Sequence, residues 1–179
     1  LTVIYDKLHR DLIQEEILHA DETELQVLHE EGKSPQSKSY MWLYRTGAFT
    51  KTPIVLFHYE RDRRHCRPQD FLEGFSGYLH SDGYEAYHKL ENVVSVGCFV
   101  HLRRKFVEAA EVSSKSKGSN NLASKAVNDI QQIFAWEDHW ADVPADERYQ
   151  KRLEKQKPLM DAFFDWLKDL AVSGKSSLG

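Results

Sequence analysis

Cysteine is scarce: Cys66 and Cys98 are the only two in 179 residues, and they sit in dissimilar surroundings. A disulfide framework is excluded, and a reducing compartment is the natural reading. No apolar run of about 18 residues occurs, so no segment reads as a membrane span. The N-terminus lacks the charged-then-apolar pattern of a secretory signal, which leaves a cytoplasmic protein with no membrane partner as the expectation. Charge of one sign is not in excess either, with 24 basic against 28 acidic residues and a net charge of -4. A protein coated in basic surface is thereby excluded. A local basic groove is not, because positive charge is concentrated in RDRRHCR (Arg61–Arg67) and HLRRK (His101–Lys105). The 41% of hydrophobic residues suffices for one domain with a real core, or for one domain plus an appendage.

Ile4, Leu8 and Leu12 recur at a spacing of four, so residues 1–13 read as the end of an upstream helix. An alternating run follows, with Ile17, His19, Asp21, Thr23, Leu25 and Val27 on one face of a strand. After a turn over Gly32–Ser37, YMWLYR (Tyr40–Arg45) and PIVLFHY (Pro53–Tyr59) are aromatic and β-branched enough to be two more strands, parted by a turn near Gly47. Short connections make these three an antiparallel meander. Pro68 can open a short helix over Gln69–Phe75. GYLHSD then reads as a fourth strand, Tyr84–Leu90 as a short helix, Val93–Phe99 as a fifth strand, and His101 to about Glu111 as a helix. Strands that alternate with helices imply parallel neighbours.

The order β-β-β-α-β-α-β-α is that of an RNase H-like α/β domain with a mixed five-stranded sheet, three antiparallel strands followed by parallel ones. Its expected span is 14–112. SSKSKGSNN predicts a polar loop over 113–121. Residues 122–179 predict an all-helical extension, with one stripe through Leu122, Ala126, Ile130, Ile133 and Phe134, another through Met160, Phe163, Phe164, Leu167 and Leu170, and Pro158 marking a break between them. The last residues, SGKSSLG, read as cut rather than finished.

Two segments say nearly the same thing: LHADET at Leu18–Thr23 and LHSDGY at Leu79–Tyr84. The alternation puts Asp21 on the face of Ile17, Leu25 and Val27, toward a core or a cleft, where a carboxylate is costly unless paired or bound to a cation. The competing register turns Asp21 to solvent beside Glu22 and Glu24. Asp82 precedes Glu85 by three residues at a predicted helix start, which resembles a capping box. On adjacent parallel strands, however, the two aspartates would converge on one site. Two carboxylates suit Mg²⁺, with Mn²⁺ as substitute, and a hard divalent ion so held serves phosphoryl transfer. No organic cofactor is indicated.

HADET (His19–Thr23), SKSYMWLYRTG (Ser37–Gly47), GYLHSDGYEAY (Gly77–Tyr87) and GCFVHLRRKF (Gly97–Phe106) together resemble the catalytic core of a bacterial transposase of the insertion sequence 66 family. The resemblance implies a DDE transposase that cleaves DNA at transposon ends and transfers the strand to target DNA. Asp21 and Asp82 would be its first two catalytic and metal-binding acids. The third, a glutamate in an Asn-Asn-x-x-Glu setting, has no match: Asn120-Asn121 is followed by Leu122-Ala123-Ser124, and Glu108 and Glu111 are more simply solvated helix residues. The chain is therefore expected to be an inactive fragment of a protein that self-associates and acts on DNA in the bacterial cytoplasm, at the nucleoid.

In related transposases a Cys-x-x-His pair follows the second aspartate, which assigns Cys98 and His101 a structural role beside the active site. Arg61, Arg63, Arg64, Arg103, Arg104 and Lys105 are candidates for contacts to the DNA backbone, against the simpler reading of a solvated face. Trp42, Tyr44, Trp136, Trp140 and Trp166 have core-like spacing rather than that of stacking platforms. Two other functions compete: a non-catalytic module that binds DNA or a partner, and a zinc-binding regulator built on His19, His80, Cys98 and His101.

Overall fold

The computed structural model describes residues 1–114 and 122–176. Of the polar loop expected over 113–121, residues 115–121 lie outside the described residues, as do 177–179. The chain divides into two compact units between Cys98 and Phe99.

The first unit runs α1 (Thr2–Leu12), β1 (Ile17–Gln26), β2 (Lys38–Thr46), β3 (Val55–Glu60), α2 (Cys66–Phe71), β4 (Gly77–Ser81), α3 (Glu85–His88) and β5 (Val93–Gly97). The five strands form one sheet in the order β3-β2-β1-β4-β5. β1 pairs antiparallel with β2 and β2 with β3, whereas β4 is parallel to both β1 and β5. The three-strand meander with its first strand central, then parallel additions through helical crossovers, is the RNase H-like α/β arrangement.

One face of this sheet carries the core. Leu18 and Ala20 of β1, Trp42 and Tyr44 of β2, Leu56 of β3 and Leu79 of β4 are buried there, against Leu12 of α1, Phe71 of α2 and Tyr87 of α3. Tyr44 stacks on Phe71 with ring centroids 3.9 Å apart, and Trp42 meets Tyr87 edge-on at 6.1 Å. The aromatic residues of β2 thus serve the core, because strand alternation turns Trp42 and Tyr44 to the same side.

Two expectations for this unit need correction. The core face of β1 is that of Leu18, Ala20 and Glu22, not that of Ile17, Asp21 and Leu25: Ile17 and Asp21 are exposed on the opposite face. Apolar residues occupy both faces of this strand, so period-2 alternation cannot select between them, and packing under α1, α2 and α3 decides. Helix α2 begins at Cys66 rather than Gln69 and ends at Phe71 rather than Phe75. Pro68 sits third in its first turn, where the missing N–H has no intrahelical acceptor to lose.

The second unit is helical: α4 (Phe99–Ser114), α5 (Leu122–His139), α6 (Ala145–Lys151), a π-helical turn (Arg152–Gln156) and α7 (Lys157–Ser176). Ala126, Ile130 and Phe163 are buried at its centre, with Phe99, Phe106, Phe134 and Trp166 packed around them. Pro158 does not break the helix as expected. It is the second residue of α7, one residue past the π-helical turn, and the wider turn accommodates a residue that offers no N–H and crowds the preceding carbonyl. Gln156, inside that turn and buried, donates from Nε2 to the Ile133 carbonyl at 3.2 Å, while Arg152 grips Glu137 with two hydrogen bonds of 2.7 and 2.6 Å.

Candidate active site

The register of β1 against β4 places the two aspartates. Ile17 pairs with Tyr78, Leu18 with Leu79 and His19 with His80. Continued by two residues, the same offset sets Asp21, midway along β1, level with Asp82, just past the carboxyl end of β4 and where the parallel pairing of the two strands runs out. Ligands of open α/β sheets bind at such strand ends. The imidazoles of His19 and His80 lie beneath this level, ring centroids 4.7 Å apart. The His19 pKa is lowered, first by burial and then by the neighbouring His80 and Arg45 charges.

Asp82 does not close a capping box. The N-cap of α3 is Tyr84, which makes no side-chain cap bond. Instead the Asp82 Oδ1 accepts the Tyr84 N–H at 2.8 Å, so the carboxylate folds the turn between β4 and α3. Its Oδ2 lies 3.7 Å from Arg63 Nη2, and the side chain keeps 26% of its surface. Asp21 accepts the Glu22 N–H at 2.9 Å.

Beside Asp21, on the core face, Glu22 buries all but 2% of its side chain. Arg63 donates from Nε to Glu22 Oε1 at 2.6 Å and Tyr87 donates its hydroxyl to Oε2 at 2.5 Å. The Arg63 guanidinium carbon lies 3.9 Å from the centre of the Tyr84 ring, and the Tyr84 hydroxyl donates to the Arg63 carbonyl. Burial, then the Glu22 charge, pushes the Tyr87 hydroxyl far above the usual tyrosine range. Burial opposes the charge on Arg63, but the Glu22 bond outweighs it and the Arg63 pKa is raised. Glu22, Tyr84 and Tyr87 were not singled out in the sequence. The signal that could have found Glu22 is its parity with Leu18 and Ala20, which makes it an acid on a core face.

The other predicted residues are placed as follows. Arg61 donates to Glu30 at 2.6 Å and Arg64 to Asp62 at 2.9 Å, both from exposed side chains. Cys98 extends the pairing of β5 with β4, donating its N–H to the Ser81 carbonyl at 2.8 Å. His101 and Arg103 lie in the first turns of α4, where Arg103 reaches Gln131 at 3.3 Å. Arg104 and Lys105 are exposed, the latter 3.5 Å from Glu108. Among the described residues no three of His, Cys, Asp and Glu gather as a metal site, which leaves the zinc reading of His19, His80, Cys98 and His101 without geometric support. No described helix is long and apolar enough to cross a membrane.

The family of transposases described as "Transposase IS66 family" matches residues 1–179. The chain belongs to the IS66 transposase family. Two proteins of Sinorhizobium fredii (strain NBRC 101917 / NGR234) are similar to it. Uncharacterized protein y4hP is 28% identical over 196 residues, covering 99% of this chain and 35% of the relative. Uncharacterized protein y4qI is 30% identical over 192 residues, covering 98% of this chain and 34% of the relative. This IS66 chain thus spans about a third of the length of these relatives. No solved structure is a significant match.

Proposed function

We propose that Asp21 and Asp82 are two of the acids of a DDE transposase centre, which in the whole protein cleaves DNA at transposon ends and joins the 3′-hydroxyl to target DNA. The observation that carries this reading is the level that the register of adjacent parallel strands gives the two aspartates, Asp21 midway along β1 and Asp82 at the end of β4. Their donor set fits the metal that the family implies. Both offer carboxylate oxygens: Asp21 is exposed, and Asp82 spends Oδ1 on the turn while Oδ2 faces Arg63 Nη2 across a long ion pair of 3.7 Å. Mg²⁺ keeps several waters and is commonly held by one or two carboxylates plus substrate phosphates, so a pair of aspartates is a sufficient protein contribution to a first ion. When bound, such an ion activates the attacking water or 3′-hydroxyl and stabilises the departing 3′-oxygen.

The chain's own residues then bind and orient. Asp21 and Asp82 would hold the ion, and the bond from the Tyr84 N–H fixes the Asp82 carboxylate in the turn. Arg61 and Arg64 in the first unit, and Arg103, Arg104 and Lys105 in the second, supply positive charge for the DNA backbone, a largely sequence-independent and salt-sensitive attraction. Cys98 and His101 act structurally at the start of α4. The domain reading is a catalytic core over 14–112 and a helical extension over 122–179, acting in the cytoplasm, at the nucleoid, on transposon-end and target DNA as part of a self-associating protein.

The third acid that the family implies, a glutamate in an Asn-Asn-x-x-Glu setting, has no match in this sequence, so the 179-residue chain alone is expected to be inactive in cleavage. Calorimetric titration with Mn²⁺ tests the reading: the native chain binds the ion, and Asp21→Asn and Asp82→Asn each weaken binding. Absence of binding at millimolar Mn²⁺, with salt-dependent DNA binding retained, would favour the non-catalytic module. Mn²⁺-dependent nicking by this chain that disappears on Asp82→Asn would overturn the inactivity.

A further inference from the structure

Glu22 is the puzzle of this molecule, because a carboxylate that is almost wholly buried on a core face is expensive to desolvate. An apolar residue of similar volume commonly does as well or better for stability. Its position suggests what the cost achieves. Glu22 follows Asp21 in the chain, and its guanidinium partner stands between it and Asp82: Arg63 bonds Glu22 Oε1 through Nε at 2.6 Å and also through Nη2, which makes only a longer ion pair of 3.7 Å with Asp82 Oδ2. Tyr84 bears on the same guanidinium through its ring face, 3.9 Å away, and ties its hydroxyl to the Arg63 carbonyl. Glu22 and Asp82 are the two carboxylates whose charges act on Arg63. Among the described residues, the other carboxylate that acts on Arg63 is Asp82.

We propose that Glu22 is a positioning residue for Asp82: by engaging Arg63 on the core side of the sheet, it keeps that guanidinium from closing onto Asp82 Oδ2 and leaves that oxygen open to a cation. The inference rests on the reading of Asp82 as a cation ligand, but its geometric half stands by itself. A guanidinium released from Glu22 needs only a short swing to make a charge-assisted bond with Asp82, and such a bond occupies the lone pairs that a metal needs. Tyr87 completes the device by donating to Glu22 Oε2, which fixes the carboxylate with Oε1 turned to Arg63. Arg63 is then part of the acid site's internal balance, and its Glu22 bond must break before it could serve as a phosphate contact.

Glu22→Gln keeps the volume and an acceptor for Tyr87 while removing the charge. In a crystal structure of this variant, Arg63 is expected to have moved onto Asp82 Oδ2; a guanidinium that stays over Tyr84 without bonding Asp82 overturns the proposal, whatever metal does. In calorimetry of the 179-residue chain, Mn²⁺ affinity should fall about tenfold in Glu22→Gln, as expected for a cation competing at contact distance. It should recover in Glu22→Gln/Arg63→Gln, where no guanidinium remains to compete. A double variant as weak as the single one, with both folded, overturns the proposal too. If Glu22→Gln does not fold, the native chain decides by NMR. The Arg63 Nε–H resonance should stay in place as Mg²⁺ is added, and its displacement by Mg²⁺ counts against Glu22 as its holder. Should Asp82→Asn leave Mn²⁺ binding unchanged, the metal reading of Asp82 falls, and the crystallographic result still judges Glu22.

Discussion

Tyr87 donates its hydroxyl to the Glu22 carboxylate across 2.5 Å, and so joins the helix after β4 to the middle of β1. Both side chains are buried, so the bond is shielded from water and its loss leaves an acceptor that water cannot easily reach. Tyr87→Phe should therefore destabilise the chain by about 1–3 kcal/mol, the penalty for an unsatisfied buried acceptor with little change in packing. Urea unfolding of the native chain and the variant measures it. A difference of a few tenths of a kcal/mol would mean that Glu22 finds another donor.

Gly77 opens β4, and its position leaves no space for a side chain. A Cβ there would lie 2.3 Å from the Glu16 carbonyl oxygen, which accepts the Tyr78 N–H at 2.9 Å. The obstacle is backbone, so it cannot turn aside as a flexible side chain would. Gly77→Ala should cost about 1–3 kcal/mol, in the range of overpacking substitutions. Because β4 carries Asp82 at its far end, the same variant should also weaken Mn²⁺ binding. Full stability of the variant by thermal unfolding would show that the start of β4 can shift freely.

The sheet order was legible in the sequence because each strand announces itself twice, by β-branched or aromatic content and by the turn residues around it. Tyr40–Arg45 and Pro53–Tyr59 are such cases, and both became strands within a residue or two. The face of β1 was not legible. Ile17, Leu25 and Val27 argue for one side and Leu18, Ala20 and Leu28 for the other, and acids stand on both. Only the helices that cover the sheet break the tie, and they come from elsewhere in the chain. Asp82 was ambiguous for a related reason: a turn bond to Tyr84 and a cation need the same carboxylate, and the sequence cannot divide its two oxygens between them. Glu22 escaped notice because a buried acid is recognisable only by its partners, and Arg63 and Tyr87 lie 41 and 65 residues away.

Ile130 is fully buried at the centre of the helical unit, beside Ala126 and Phe163. Ile130→Ala should destabilise that unit by about 2–5 kcal/mol, combining lost transfer energy with the cavity left behind. Surface arginine Arg152, by contrast, makes two good hydrogen bonds to Glu137 but keeps 41% of its side chain exposed. Arg152→Ala should cost no more than about 1 kcal/mol. Guanidinium unfolding monitored by tryptophan fluorescence separates the two cases, and a larger loss for Arg152→Ala than for Ile130→Ala would reverse this ranking of packing over ion pairing.

Acid stability should depend on a hub at the end of the β1–β2 hairpin. Ser39, buried on β2, donates its hydroxyl to Glu30 Oε2 at 2.6 Å, and Arg61 and Lys33 approach the same carboxylate at 2.6 and 3.3 Å. The Ser39 bond is the largest cause that holds the Glu30 pKa down from its ordinary 4.5 to about 2, with burial opposing and Tyr59, Arg61 and Lys33 assisting. A depressed folded-state pKa means that the unfolded chain takes up this proton first as the pH falls. The resulting stability is complete above the unfolded value of 4.5 and is lost as the pH drops through about 2. Ser39→Ala should lift the Glu30 pKa, so its deficit against the native chain is greatest above pH 4.5 and shrinks as the pH falls through about 2, below which Glu30 is protonated in both. Urea unfolding across that interval measures the deficit. A deficit that does not vary with pH would assign the Ser39 effect to packing alone.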